Sequence, residues 1–220
     1  MIAKDLITSS VPPLKNTDSV AAALTYMKEF KVAHLPIVDG NTFIGVVTEG
    51  DLLDSNEVEK PLSELNLSLA KSFVLETQHY YEVIKLVSEQ GVSLIPVITE
   101  KKNYVGVITL KSLISYLSEL NSIKDPGVII TLEMGVHDYH LSEIARIAES
   151  NDTLILSLNV NTIPDSSRIS VTLKLNSSNV RPLIASFERF SYRVTNSFLA
   201  EEYLDAFKER YDALMKYLDL

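Results

Sequence analysis

Hydrophobic positions recur along this chain with two periods, and the switch between them marks its elements. In "DSVAAALTYMKEFKV", residues 18–32, apolar side chains fall three and four apart, which gathers them on one face of a helix. In "LPIVDGNTFIGVV", residues 35–47, two short apolar runs flank a polar turn, the form of a β-hairpin. "EGDLL" then opens a further helix. About sixty residues later the same order returns as "HYYEVIKLVSEQGV", "IPVITEKKNYVGVI" and "KSLISYL". Pro36 aligns with Pro96, and one extra residue in the second turn brings Gly45 onto Gly106. Thr17 and Thr77 stand ahead of the longer helices, where a side-chain oxygen serves as an N-cap. The repeated unit is therefore extended segment, helix, strand, turn, strand, helix.

At "NSIKDPGV" the pattern changes. Asp125, Pro126 and Gly127 are turn chemistry. Beyond them come a strand ("VIITLEM"), a helix ("LSEIARIAES"), two strands ("LILSLNV", "RISVTLKL"), a helix ("RPLIASFERF") and a strand ("YRVTNSF"). That βαββαβ order predicts an antiparallel sheet with helices on one face. In the tail, Leu204, Phe207, Tyr211, Leu214 and Leu218 share one stripe. They predict an amphipathic helix over 199–220 that packs on its own domain or on a twin subunit.

The phrase "GVVTEGDL" (45–52) and its echo "GVITLKSL" (106–113) carry the candidate chemistry. Thr48 ends an apolar strand and the next residues open a helix, whose first N–H groups lack internal partners and favour an anion. The Thr48 hydroxyl can bond a phosphate or ribose oxygen, and Asp51 can accept from two vicinal ribose hydroxyls. Gly45 either admits a flat base close to the backbone or fits a tight strand pair. The same Thr-x-x-Asp spacing is also a capping box, in which the two side chains only complete the helix end. In the second copy Thr109 is kept, but Ser112 replaces the aspartate. A neutral hydroxyl lacks the charge-assisted acceptors, a loss of about 1–3 kcal/mol, tenfold or more in affinity. The two seats are therefore expected to be unequal.

The "LP(I/V)V" strand, the strand-closing glycine and G-h-h-T-x-x-D, written twice at matched spacing, resemble a tandem pair of CBS domains (cystathionine-β-synthase-type modules). This resemblance divides the chain into a first repeat over 1–58, a second over 59–120 and a linker over 121–126. The later elements resemble an ACT domain over 127–198, followed by the C-terminal helix over 199–220. The fold class is α+β: a tandem CBS repeat, a ferredoxin-like βαββαβ domain and a terminal amphipathic helix. The whole is similar to acetoin-utilisation-type regulators.

The resemblance implies an adenosine ligand, AMP, ADP, ATP or S-adenosylmethionine, as a regulatory ligand rather than a required cofactor. Thr48 and Asp51 would hold its ribose and phosphates. The adenine would lie near Ser10, Val11 and Pro12 and near Ala33, His34 and Pro36, with Thr109 and Ser112 as the weaker counterpart. In ACT domains the turn after the first strand carries a glycine that makes room for an amino acid. Tyr139 and His140 stand there, which points to sheet pairing between subunits. The reading is a homodimeric sensor with an unknown protein partner; the alternatives are a ligand-free interaction protein and an amino-acid sensor acting through the ACT-like part.

Composition narrows the classes. Net charge is −9 and both halves are acidic, so nucleic acid is not an expected partner. All arginines fall from Arg146 onward, leaving a phosphate on the first part to Lys, hydroxyls and backbone N–H groups. Zero cysteines exclude disulfides and fit a reducing cytoplasm. No apolar run approaches the ~18–20 residues of a membrane span, and "MIAKDLITSS" lacks a secretory signal's features. His137 and His140 flank Asp138, which reads as an N-cap rather than a metal ligand. No nucleophile elbow, Walker loop or dinucleotide fingerprint is present, and no catalytic residue is assigned.

Overall fold

The computed structural model describes residues 1–55, 57–177 and 180–199. The chain divides into two units, Met1–Tyr116 and a second beginning at Leu117. In the first unit, β1 (Leu14–Lys15), α1 (Val20–Phe30), β2 (His34–Asp39), β3 (Thr42–Thr48) and α2 (Glu49–Leu53) form one repeat. The other consists of β4 (Val74–Leu75), α3 (Tyr80–Gln90), β5 (Leu94–Ile98), β6 (Tyr104–Thr109) and the greater part of α4 (Leu110–Leu120), whose last four residues belong to the second unit.

Each repeat has its own three-stranded sheet, ordered β1-β2-β3 or β4-β5-β6. The first pair is parallel and the second antiparallel in both. Even the irregularity repeats: β2 skips a partner after Ile37 and β5 after Val97. Near-continuous burial of Leu35–Val38 and of Leu94–Ile98 reflects cover on both faces. Leu14, Ala23, Leu35 and Val47 of one repeat share a buried cluster with Leu94 and Val107 of the other.

Both longer helices start two residues later than the sequence pattern places them. The N-caps are Ser19, whose Oγ accepts from Ala22 N at 3.3 Å, and His79, whose Nδ1 accepts from Tyr81 N at 3.4 Å. Thr17 and Thr77 are exposed and cap nothing. The reason lies one residue on. Asp18 Oδ2 folds back to accept from Lys15 N at 2.8 Å, and Gln78 Oε1 accepts from Leu75 N at 2.7 Å. These local bonds hold the chain in a turn and delay helix entry.

Spatial partnership crosses chain order. The N-terminal segment lies on the second repeat: Ala3 N donates to Gln78 O, Lys4 N to Glu76 O and Thr8 N to Val107 O. The inter-repeat linker lies on the first: Val20 N donates to Lys60 O, Ala21 N to Val58 O, and Val46 bridges to Leu69. The strand-closing glycines make this possible. A Cβ on Gly45 would sit 2.7 Å from Leu67 Cδ1, and one on Gly106 would overlap Ile7 Cγ2. Ile7 and Leu67 are themselves one repeat length apart.

The second unit runs β7 (Val128–Gly135), α5 (Leu141–Glu149), β8 (Ile155–Thr162), β9 (Arg168–Leu175), α6 (Val180–Arg189) and β10 (Arg193–Leu199). Its sheet is ordered β10-β7-β9-β8 and every pair is antiparallel, the ferredoxin-like arrangement. Strict alternation on β7 buries Val128, Ile130, Leu132 and Met134 against Ile144, Ile147, Leu183 and Phe187 of the two helices. Asp138 is not the N-cap of α5. It ends a 3-10 turn, Val136–Asp138, and His140 occupies the cap position without a side-chain bond. Tyr192, expected to open the last strand, is instead buried in the core, with its hydroxyl donating to Glu143 Oε2 at 2.8 Å. Burial, together with this bond to a carboxylate, raises the phenol's pKa. The helix expected over 199–220 lies outside the described residues, apart from Leu199 at the end of β10.

Candidate functional site

Thr48 ends β3 in extended backbone, φ −100° and ψ 159°, and caps α2. Its Oγ1 accepts from Asp51 N at 3.0 Å, and Asp51 Oδ2 accepts from Thr48 N at 2.9 Å. The capping box is thus closed in both directions. Asp51 does more than close it. Ser68 Oγ, from the linker, donates to the same Oδ2 at 3.1 Å. All three bonds that the carboxylate and its backbone partner use leave Oδ1 without a partner among the described residues. The helix itself has only five residues, so its dipole contributes little and the side chains must carry any recognition.

His34 lies directly across the ladder from Thr48. Its Nδ1 is 3.0 Å from Ser93 Oγ and accepts from Ser93 N at 3.2 Å. Burial lowers the imidazole's pKa below its ordinary value, and the Asp51 carboxylate partly offsets this. Ala33 O accepts from Glu49 N at 3.1 Å, a further bond to the α2 tip. Pro36 is buried in β2 opposite Val46.

The structure therefore brings Thr48, Asp51 and His34 together but not Ser10, Val11 and Pro12. Those three follow Thr8, which is bonded to β6 of the second repeat. Ser10 N donates to the Thr8 hydroxyl at 3.2 Å, Val11 is buried in the shared core and Pro12 is exposed. Their counterpart beside Asp51 is the linker at Ser68. Two contributors, Ser68 and Ser93, escaped the sequence reading. One repeat length relates Ser68 to Thr8 and Ser93 to Ala33, so the offset that aligned Pro36 with Pro96 also marks them.

At the second seat, Thr109 N donates to Ser112 Oγ at 3.1 Å and Ser112 N to Thr109 Oγ1 at 3.2 Å. The Ser112 hydroxyl proton goes to Thr109 O at 2.9 Å. Its donor is spent inside the helix tip, and it brings no charge.

Two clefts, of about 400 and 340 Å³, lie elsewhere, beside the turns of the β2–β3 and β5–β6 hairpins. One is lined by residues including Lys15, Asn16, Asp39 and Gly40, the other by residues including Glu76, Thr77, Glu100 and Lys101. Neither includes Thr48 or Asp51. Among the described residues no group of three His, Asp or Glu could hold a metal ion. No helix among them is long and apolar enough to cross a membrane.

Comparison with known proteins agrees with this architecture. The CBS domain family model matches residues 3–57 and 72–119. A CBS domain pair/ACT domain protein from Thermotoga maritima is similar in structure, with 25% identity and a TM-score of 0.50 over 54% of this chain and 98% of that one. An uncharacterised protein of Bacillus subtilis is 29% identical over 121 residues, 50% of this chain and 78% of its own length. The homoserine O-acetyltransferase of Methanocorpusculum labreanum is 27% identical over 51% of this chain. The inosine-5'-monophosphate dehydrogenase of Methanocaldococcus jannaschii is 23% identical over 68% of this chain. The chain spans only 23% and 29% of the length of those two enzymes. With the strand order, the twofold-repeated bulge and the matched residues agreeing, the first unit of this chain is a CBS domain pair.

Proposed function

We propose that the CBS pair is a regulatory module that binds one adenosine nucleotide (AMP, ADP or ATP) at the Thr48–Asp51 seat. The observation that carries this reading is the division of labour on Asp51. One carboxylate oxygen holds the helix tip and the Ser68 hydroxyl, while the other is left to accept from ribose hydroxyls. The Thr48 hydroxyl, Ser68 and the half-buried His34 ring surround it. The second seat offers a neutral hydroxyl whose proton is already committed. Binding across two repeats would favour one arrangement of the pair over another, and the ferredoxin-like unit would pass that bias to a protein partner, within a homodimer.

Thermal-shift measurement with AMP, ADP, ATP and S-adenosylmethionine tests the reading, since a ligand at about 100 times its dissociation constant adds about 2.7 kcal/mol. The expected result is a raised midpoint with at least one of them and a shift lost in Asp51→Asn. A specific observation favours a second reading, that of an interaction protein without ligand: the Thr48 and Asp51 side chains satisfy each other's backbone N–H groups in a closed capping box. No shift with any of the four compounds would decide for it.

A further inference from the structure

Alternation along β9 turns Val171 and Leu173 into the core and Ser170, Thr172 and Lys174 to the other face of the sheet, away from the helices. On that outer face Lys174 is only 9% exposed. Its neighbours across the ladder are Ile129 on β7 and Ser157 on β8. Ile129 is apolar and the Ser157 hydroxyl is engaged with Asn121 O at 3.3 Å, so neither flank gives the ammonium a carboxylate. Among the described residues the Lys174 amine takes part in no hydrogen bond or ion pair. A lysine is rarely buried to this depth unpaired, because an ammonium withdrawn from water loses hydration that only an acceptor restores. The amine is not sealed in, however. Among the described residues, Ser72 Oγ is the one wholly enclosed side-chain N or O atom without a partner.

The rest of this face continues the charge pattern. Asn196, Thr131, Thr172 and Asn159 form one neutral row across the four strands. Beyond it Arg168 Nε lies 2.6 Å from Glu133 Oε1, and Arg193 Nη1 lies 3.8 Å from Glu133 Oε2. The Arg193 side chain is 70% exposed, which leaves its planar fork open to a second carboxylate. Three cations and one carboxylate leave these positions at +2 on a chain of net charge −9. Lys174 and Arg168 stand about 20 Å apart, six residues at roughly 3.4 Å each, too far for one small anion to bridge. Glu133, set between the arginines, repels a continuous polyanion such as nucleic acid. We propose that this outer face docks an acidic, extended segment of a protein partner, with one carboxylate on Lys174 and another at the Arg168–Arg193 end. This names the class of partner for the transmitting role proposed above and rests on that reading; the docking itself needs no nucleotide.

The test uses the full chain without nucleotide and a dye-labelled seven-residue peptide alternating Glu and Thr. When extended, that peptide presents its carboxylates on one side. Fluorescence anisotropy should show saturable binding that weakens as salt rises from about 50 to 500 mM. The same peptide with Gln for Glu should bind about tenfold more weakly or worse, and so should the Glu peptide to Lys174→Met. Methionine fills the space of the lysine stem without its charge, so Lys174→Met should melt at the wild-type midpoint or above it. A lowered midpoint would mean that the amine is already satisfied within the fold, and overturns the proposal. Arg193→Gln, at an exposed position, should also weaken the peptide while leaving the midpoint unchanged. In nitrogen-15 spectra of the wild type, the peptide should move the amide signals of Thr172 and Lys174. Shifts confined to residues 1–116, or equal binding of the Glu and Gln peptides, overturn the assignment. So does tighter binding of a single-stranded oligonucleotide, or a self-association that Lys174→Met abolishes. A nucleotide screen without a hit would leave peptide binding in place, so the two proposals fail separately.

Discussion

Asp51 can complete a helix end with one oxygen and hold a ligand with the other, and its surroundings separate the two tasks. Asp51→Asn retains an amide oxygen that can accept from Thr48 N but removes the charge. It should leave unfolding free energy within about 0.5 kcal/mol, while nucleotide affinity falls about tenfold or more. Asp51→Ala removes both and should also cost about 1 kcal/mol of stability. Denaturant unfolding beside calorimetry distinguishes these outcomes; nucleotide affinity equal to the wild type's in both variants would leave the side chain as a cap alone. In the opposite direction, Ser112→Asp should create a second measurable site, because it restores the carboxylate where Thr109 is already placed. The sequence showed Thr48 and Asp51 plainly, since they lie within four residues of one another, and their unequal echo returns at the same spacing one repeat later. It did not show Ser68 or Ser93, which reach the seat from other segments.

At the scale of elements, the strands and helices of both repeats were legible because each has one uniform period and clear turn chemistry. The helix starts were not. Asp18 and Gln78 bond the backbone behind them, and that local competition displaces the caps from Thr17 and Thr77 to Ser19 and His79. The crossing of the two extended segments was hidden for a different reason. A repeat offset says which residues are equivalent, not which copy each one touches. Gly106 shows the consequence. Its Cα faces Ile7 of the N-terminal segment, so Gly106→Ala should destabilise by about 1–3 kcal/mol through overpacking. Adding Ile7→Ala removes the obstructing methyl group, and the double variant should be more stable than the sum of the two single losses predicts. Strict additivity in denaturant unfolding would show that the segment does not press on that strand in solution.

For the whole molecule, the sequence pattern reached the division into a CBS pair and an antiparallel βαββαβ unit, because the two halves differ in both element order and turn composition. The function it left open depends on how the repeats respond together, which no single motif encodes. A regulatory module with one good seat and one poor seat responds to ligand over a single concentration range, whereas two equal seats would respond as a pair. Isothermal titration of the full chain with AMP, ADP and ATP, repeated on Asp51→Asn, reaches this point most directly. The account predicts about one strong site per chain for at least one nucleotide, weakened about tenfold or more in the variant while its melting midpoint is unchanged. Two equal sites per chain, or a variant that binds as tightly as the wild type, would contradict it.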